Sequence, residues 1–151
     1  MHILHTSDWH LGRTLHEHSL LEDQRLVLDD LLAHLSSAQY DALIIAGDVF
    51  DRSMPAEEAV ALWNDFLERF ADACPDTVLV AIAGNHDSGE RLAGASRVIE
   101  RAGVYLRGNA TRLDQPVRVG EADFWLVPFL WAGSLIKEGE DGPLRLRSQE
   151  E

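Results

Sequence analysis

The chain has 151 residues, of which 46% are hydrophobic and 26% are charged, a composition typical of one globular domain. It has no apolar stretch of membrane-spanning length and no export signal pattern, which argues against membrane and exported proteins. The single Cys74 cannot form an internal disulfide, which suits a protein located in a reducing cytoplasm. The formal net charge of −13 argues against a protein that wraps DNA with its own basic surface, although bound cations or a partner subunit could offset that charge.

Three short apolar runs predict strands that are buried on both faces of a sheet: residues 2–6, 42–47 and 77–84. Helical spacing and end signals predict three helices: one from the capping box of Ser19 and Glu22, one from near Pro55 to about Ala73, and one over roughly 89–102 that stops at Gly103. This alternation predicts the α/β class, with a parallel sheet and right-handed crossovers.

Beyond Gly103 the pattern changes to three short predicted strands, "VYLRG", "QPVRVG" and "DFWLVPF". The last residues form a polar segment without helical or strand periodicity, which includes "KEGEDGPLRLRSQEE". We therefore expect residues 1–133 to belong to one domain and residues 134–151 to form a polar tail that is disordered or truncated.

Each of the three predicted parallel strands runs into polar residues of metal-ligand type: Asp8 and His10 after the first, Asp48 after the second, and Asn85, His86 and Asp87 after the third. The carboxyl ends of parallel strands share one edge of the sheet, so these side chains should converge. Side chains at i and i+2 of an extended strand point to the same side, which would let Asp8 and His10 share one ion. Trp9 would then point away and form a wall of the site.

The types of ligand indicate the type of metal. Carboxylate, imidazole and amide oxygen without a thiolate suit Mn²⁺, Fe²⁺, Zn²⁺ or Mg²⁺. A central carboxylate such as Asp48 can bridge two ions about 3.5–4 Å apart, the spacing found in two-metal hydrolases. The alternative, that the acids only cap helices and that Gly47 and Gly84 only serve tight turns, leaves three motifs in register without an explanation.

The order Asp-x-His, Gly-Asp and Gly-Asn-His-Asp resembles the N-terminal half of the calcineurin-like metallophosphoesterase signature. Two longer stretches, residues 5–32 and 84–108, contain "HLGR" and "NHDSGERL" and are similar to SbcD-type nuclease subunits of bacterial double-strand-break processing complexes. The resemblance covers roughly residues 1–130. It implies the N-terminal part of a metallophosphoesterase fold, an α/β/β/α sandwich.

The resemblance also implies a function: a metal-dependent DNA phosphodiesterase, with double-strand exonuclease and single-strand endonuclease activity, in DNA repair, recombination and replication. It implies a cofactor of two divalent ions, with Mn²⁺ as the first choice. The partners it implies are DNA, an SbcC-like ATPase subunit and a second copy of the chain in a homodimer. The implied location is the cytoplasm, at the nucleoid. The site residues it implies are Asp8, His10 and Asp48 for the first ion, Asp48 and Asn85 for the second, and the catalytic His86 beside the scissile phosphate with Asp87 behind it.

One departure from the family pattern bears on activity. The family completes its two sites with a later histidine and a Gly-His-x-His segment, but none of the seven histidines here follows His86. We therefore expect an N-terminal fragment of a longer nuclease. The 151-residue chain should bind at most one Mn²⁺, weakly, and have little nuclease activity.

Two alternatives for function stay open at this point. One is a phosphatase or small-molecule phosphodiesterase of the same superfamily, and the other is a non-catalytic dimerisation or docking module. The helix predicted after Pro55 carries an apolar arc that is either deeply buried or part of a dimer interface: Ala59, Val60, Leu62, Trp63, Phe66, Leu67 and Phe70. Asp51 and Arg52 are expected to form a loop salt bridge, and His16 and His18 to face solvent.

Overall fold

The computed structural model describes residues 1–132, 136–139 and 142–145. Its strands are β1 (Ile3–Thr6), β2 (Thr14–Leu15), β3 (His18–Ser19), β4 (Ala42–Ala46), β5 (Val78–Ile82), β6 (Val104–Arg107), β7 (Val117–Val119), β8 (Ala122–Phe124), β9 (Ile136–Gly139) and β10 (Gly142–Arg145). Its α-helices are α1 (Leu21–Ser37), α2 (Glu57–Ala73), α3 (Gly89–Leu92) and α4 (Ser96–Ile99). Among these residues, no helix combines the length and the apolar character that crossing a bilayer requires.

The central element is a four-stranded parallel sheet with the strand order β1-β4-β5-β6. Successive residues of its strands enter two different cores, as the two-residue period of a strand requires. On one face, Leu43, Ile45 and Leu79 pack into the larger core with the helices. On the other face, Ala42 and Val80 pack with residues of the antiparallel β7–β8 hairpin. The predicted α/β class with a parallel sheet is confirmed.

The predictions for the first and third helices need correction. The capping box is wrong, because Leu20 is the N-cap of α1 and makes no side-chain cap bond, while Ser19 Oγ accepts only from the Leu21 N–H at 3.3 Å. The second helix, Glu57–Ala73, agrees with the predicted start near Pro55 and end at about Ala73. The third predicted helix is broken into α3, α4 and a short 3₁₀ turn over Glu100–Ala102, and the break falls at Gly94, a residue type that weakens helix interiors.

Further along the chain, the predicted end at Gly103 agrees with the structure, whereas the last predicted strand pairs only in part. Gly103 ends the 3₁₀ turn in a left-handed conformation with φ 75°, as its predicted role as C-cap requires. In the run "DFWLVPF" only the first residues pair, in β8, and the Phe129 N–H instead donates to the Ala83 carbonyl at 2.8 Å. Within the predicted polar tail the backbone of β9 and β10 forms an antiparallel pair, and the rest of that segment lies outside the described residues.

The apolar arc of α2 belongs to the core. Trp63 and Phe66 are 4% and 1% exposed, and Trp63 stacks on Phe66 with ring centroids 6.1 Å apart. Trp9 meets both rings edge to face. A charged residue at either position of α2 would therefore be buried without a partner. Trp63 and Phe66 are therefore buried in the core of the protein and are not available to contact a second copy of the chain.

A partly buried ion-pair cluster includes Arg107 of β6. The Glu100 carboxylate accepts from Arg107 Nη1 at 2.8 Å and from Arg112 Nη1. Burial by itself would raise the pKa of Glu100, but the hydrogen bonds and charges of the two guanidiniums lower that pKa below its usual value. Because the Arg107 side chain is only 5% exposed, the carboxylate is its main compensation for leaving water.

We expect Glu100→Gln to lower the free energy of unfolding by about 2 kcal/mol at neutral pH, since a buried guanidinium loses its charged partner. The folded-state pKa of Glu100 is lowered, so its contribution is present above the unfolded-state pKa and is lost as the pH falls through the folded-state pKa. Urea denaturation at pH 7 and pH 3 should therefore show a smaller difference between the two proteins at pH 3. The exposed Glu121→Gln is the control, and an equal loss at both pH values would contradict the assignment.

Candidate metal centre

The metal-ligand residues predicted from the sequence follow the carboxyl ends of three adjacent strands, β1, β4 and β5. The loop after β1 runs alongside the loop after β4, because the Asp8 N–H donates to the Gly47 carbonyl at 3.1 Å and the His10 N–H donates to the Asp48 carbonyl at 2.9 Å. An isolated parallel bridge between Leu11 and Phe50 continues this pairing. The sheet topology thus sets the two loops side by side.

Three of these residues have left-handed backbone conformations. The φ angles are 57° at Asp8, 46° at His10 and 51° at Asp48. Residues other than glycine rarely adopt this region. The prediction that Asp8 and His10 share a side because the chain is extended is therefore wrong, since β1 already ends at Thr6. The two side chains still approach each other, with His10 Nε2 3.8 Å from Asp8 Oδ1.

The loops after β4 and β5 touch through glycines. A Cβ atom added at Gly84 would lie 2.1 Å from Asp48 Oδ1 and 2.4 Å from the Asp48 nitrogen. Gly47 has φ 95°, and a Cβ added there would lie 3.0 Å from the Gly84 Cα atom. These glycines do more than serve tight turns, because Gly84 makes room for the Asp48 carboxylate and Gly47 makes room for the backbone of Gly84.

The side chains of His10, Asp48 and His86 come together at this edge of the sheet. Each offers one ligand atom, and the three atoms lie within 4.8 Å of one another. His10 Nε2 is 3.9 Å from Asp48 Oδ2, too far for a hydrogen bond. Two atoms that bind the same ion, each about 2.0–2.2 Å from it, can be this far from each other. The gap between His10 Nε2 and Asp48 Oδ2 therefore fits a divalent cation between them. The donor set of imidazole and carboxylate suits such an ion.

The hydrogen bonds of His86 determine which ring nitrogen is available. Nδ1 lies 2.9 Å from the Asp51 carbonyl oxygen, and a carbonyl can only accept. Nδ1 therefore carries the proton, and a neutral ring presents the lone pair of Nε2. The His86 backbone N–H donates to Asp48 Oδ1 at 2.9 Å, which links the residue to the central carboxylate. The rings of His10 and His86 stand nearly perpendicular, with centroids 4.9 Å apart.

Asp8 and Asn85 lie at the rim of this cluster. The Asp8 side chain is 66% exposed, and its only described approach to the cluster is the one to His10. Asn85 is exposed and directly precedes His86 in the loop after β5. Asp48, in contrast, is buried at the centre.

Asp87 points into the protein. Its Oδ2 accepts from the backbone N–H groups of Val49 at 3.1 Å and Gly84 at 2.9 Å, and its Oδ1 accepts from that of Phe50 at 2.8 Å. The residue is 7% exposed. The carboxylate thus fastens the loop after β4 to the loop after β5, and its three contacts are with backbone rather than with the His86 ring.

Gln24 and Asp51 also support the site, and no pattern in the sequence pointed to Gln24. Gln24 on α1 donates from Nε2 to the carbonyls of Trp9 and His10 and accepts from the Gly12 N–H, so it clamps the loop after β1. Asp51 does pair with Arg52, Oδ2 to Nε at 3.8 Å, as expected. It also faces His10, with Oδ1 3.4 Å from Nδ1. The salt-bridge interpretation of Asp51 missed this second contact.

The remaining predicted residues lie away from the cluster. Trp9 packs on the rings of α2 and donates from Nε1 to Thr6 Oγ1 at 3.0 Å, so it points away from the site as predicted. His16 and His18 are exposed in the β2–β3 hairpin, as expected.

Comparison with known proteins agrees with this geometry. Residues 1–138 match the family model described as calcineurin-like phosphoesterase. The chain is 40% identical over 129 residues to the SbcD component of the nuclease SbcCD of Staphylococcus saprophyticus, and 36% identical over 129 residues to the same component in Staphylococcus epidermidis. Each match covers 85% of this chain and 34% of the relative, in its N-terminal part. With its parallel sheet and its clustered histidine and aspartate ligands, the chain belongs to the calcineurin-like metallophosphoesterase family.

Proposed function

We propose that this chain is the metal-binding part of a nuclease, a metal-dependent phosphodiesterase that hydrolyses DNA. The observation that carries the proposal is the convergence of His10, Asp48 and His86 at the carboxyl edge of the sheet. Family membership implies that this edge binds divalent metal. Similarity to proteins named as nuclease components supports DNA over smaller phosphate esters as substrate.

The roles of the side chains follow from their positions. His10 and Asp48 would hold an ion at the centre, with Asp8 at the exposed rim and Asn85 contributing to a second ion. Bound Mn²⁺ would supply the positive charge that lowers the pKa of a water and offsets the charge of the attacked phosphate. We assign His86 to the scissile phosphate, where its exposed ring, when Nε2 carries a proton as well as Nδ1, can donate to a phosphate oxygen or transfer that proton. Asp87 positions the loops that carry these groups.

The whole protein is proposed to be longer than this chain, because the chain spans about a third of the length of the curated relatives it matches. We infer that the longer protein has double-strand exonuclease and single-strand endonuclease activity in double-strand-break processing. It would work in the cytoplasm, at the nucleoid, with an SbcC-like ATPase that supplies positive surface to a protein whose charge is −13 here. We keep a twofold assembly as a prediction, with an interface other than the buried Trp63 and Phe66.

The test is a cleavage assay of the full-length protein with Mn²⁺. We expect it to degrade linear duplex DNA and to nick single strands, and EDTA to stop both reactions. Cleavage of nitrophenyl phosphates with intact duplex DNA would instead identify a phosphatase or small-molecule phosphodiesterase. Absence of all three activities, with a folded and metal-loaded protein, would identify a non-catalytic dimerisation or docking module.

A further inference from the structure

The Nδ1 atom of His10 is buried and has no hydrogen-bond partner among the residues that the structure describes. The side chain is 15% exposed, and Asp51 Oδ1 lies 3.4 Å from this nitrogen. A buried polar atom without a hydrogen-bond partner is unfavourable, so this nitrogen requires an explanation. We propose that Asp51 is a positioning residue: its carboxylate takes the Nδ1–H of His10 and so directs the Nε2 lone pair of His10 at the metal centre.

The geometry on the other side of the ring fits this assignment. His10 Nε2 faces Asp8 and Asp48 at 3.8 and 3.9 Å, the side on which an ion would lie. An imidazole that donates one N–H to a carboxylate is held in one tautomer and orientation, and its other nitrogen becomes a more basic ligand. Asp51 would therefore act on metal binding through His10 and not as a ligand itself.

Asp51 also contacts the second histidine of the cluster. Its backbone carbonyl accepts from His86 Nδ1 at 2.9 Å, which leaves Nε2 of that ring as the lone-pair nitrogen. Its own N–H donates to the Leu11 carbonyl at 3.2 Å and so ties the residue to the loop that carries His10. One residue thus presents the same nitrogen, Nε2, on both histidines.

The contact between Asp51 and Arg52 provides a control. Arg52 approaches the other carboxylate oxygen, Oδ2, and its side chain is 76% exposed. An exposed ion pair of this kind contributes little to stability. If Asp51 mattered only as a loop salt bridge, Arg52→Gln would have the same effect as Asp51→Ala.

The inference rests on the proposed function for its biological meaning, but its first test needs neither activity nor metal. In ¹⁵N-histidine NMR spectra of the metal-free 151-residue chain, at a pH where the rings are neutral, we expect His10 to be the Nδ1–H tautomer. Asp51→Ala should shift His10 toward Nε2–H. Asp51→Asn should retain Nδ1–H because the amide oxygen can still accept, and Arg52→Gln should match the wild type.

Calorimetric titration of the full-length protein with Mn²⁺ is the second test. We expect Asp51→Ala to weaken binding about 10–100-fold, the usual effect of removing such an outer partner, and Asp51→Asn to weaken it less. Arg52→Gln should leave the affinity unchanged.

Three results would overturn the inference: an Nε2–H tautomer in the wild type, unchanged Mn²⁺ affinity in a folded Asp51→Ala variant, or the same losses in Arg52→Gln. If Asp51→Ala does not fold, the wild-type tautomer and Asp51→Asn decide the question. A His10 tautomer that follows Asp51, combined with a full-length protein that cannot cleave DNA, would overturn the proposed function and leave this inference standing.

Discussion

Asp48→Ala in the full-length protein should abolish both tight Mn²⁺ binding and phosphodiester hydrolysis, whereas His86→Ala should retain the metal and lose hydrolysis about 10²–10⁴-fold. The difference follows from the positions of the two side chains. Asp48 is the buried centre of the cluster, facing His10 Nε2 with one oxygen and accepting the His86 N–H with the other. His86 is exposed, where a phosphate can reach it.

Mn²⁺ titration and DNA cleavage, measured on the same preparations, separate these outcomes. The exposed Asp72→Ala on α2 serves as control and should change neither. The 151-residue chain itself should take up at most one Mn²⁺, weakly. If His86→Ala loses the ion as well, His86 is a ligand, as its place within 4.8 Å of its two neighbours permits, and its assignment to the phosphate fails.

Asp87→Ala should lower the free energy of unfolding by about 3–5 kcal/mol. The change leaves the backbone N–H groups of Val49, Phe50 and Gly84 without their acceptor, and buried donors without acceptors cost about 1–3 kcal/mol each. Asp87→Asn should be almost as damaging, because the amide NH₂ would meet a donor where a carboxylate oxygen now accepts. Urea denaturation measures the loss, and Asp72→Ala again gives the reference.

The same variant distinguishes a positioning role from a catalytic one. If Asp87 acts on the loops, Asp87→Ala should weaken Mn²⁺ binding along with stability, because the loops after β4 and β5 carry Asp48 and His86. A variant of wild-type stability that binds Mn²⁺ normally yet cannot cleave DNA would show that Asp87 serves the reaction directly.

Much of the site was predictable because it depends on topology. Alternating apolar runs and helical patterns indicated a parallel sheet, and in such a sheet the ends of neighbouring strands meet at one edge. His10, Asp48 and His86 could therefore be expected to converge without any knowledge of their distances. The glycines before Asp48 and Asn85 were visible too, although the sequence showed turns where the structure shows a close approach between two loops.

The rest depended on contacts between distant segments. An aspartate after a strand looks the same in the sequence whether it faces a metal or, like Asp87, the backbone of another loop. The left-handed backbone at Asp8 and His10 is imposed by pairing with the loop after β4, so local propensity could not reveal it. The clamp by Gln24 has no local signal either, because a glutamine within a helix is ordinary.

The left-handed conformations of Asp8, His10 and Asp48 have a consequence for how this protein can change over evolution. Non-glycine residues in that region cost of order 1–3 kcal/mol each, and glycine would relieve the cost at every one of these positions. Glycine also has no ligand atom. Selection for stability and selection for metal binding therefore pull these three positions in opposite directions. A lineage that gave up catalysis would be free to change first at the exposed Asp8, because the Asp48 carboxylate also accepts the His86 N–H and its loss would offset the relief of backbone strain.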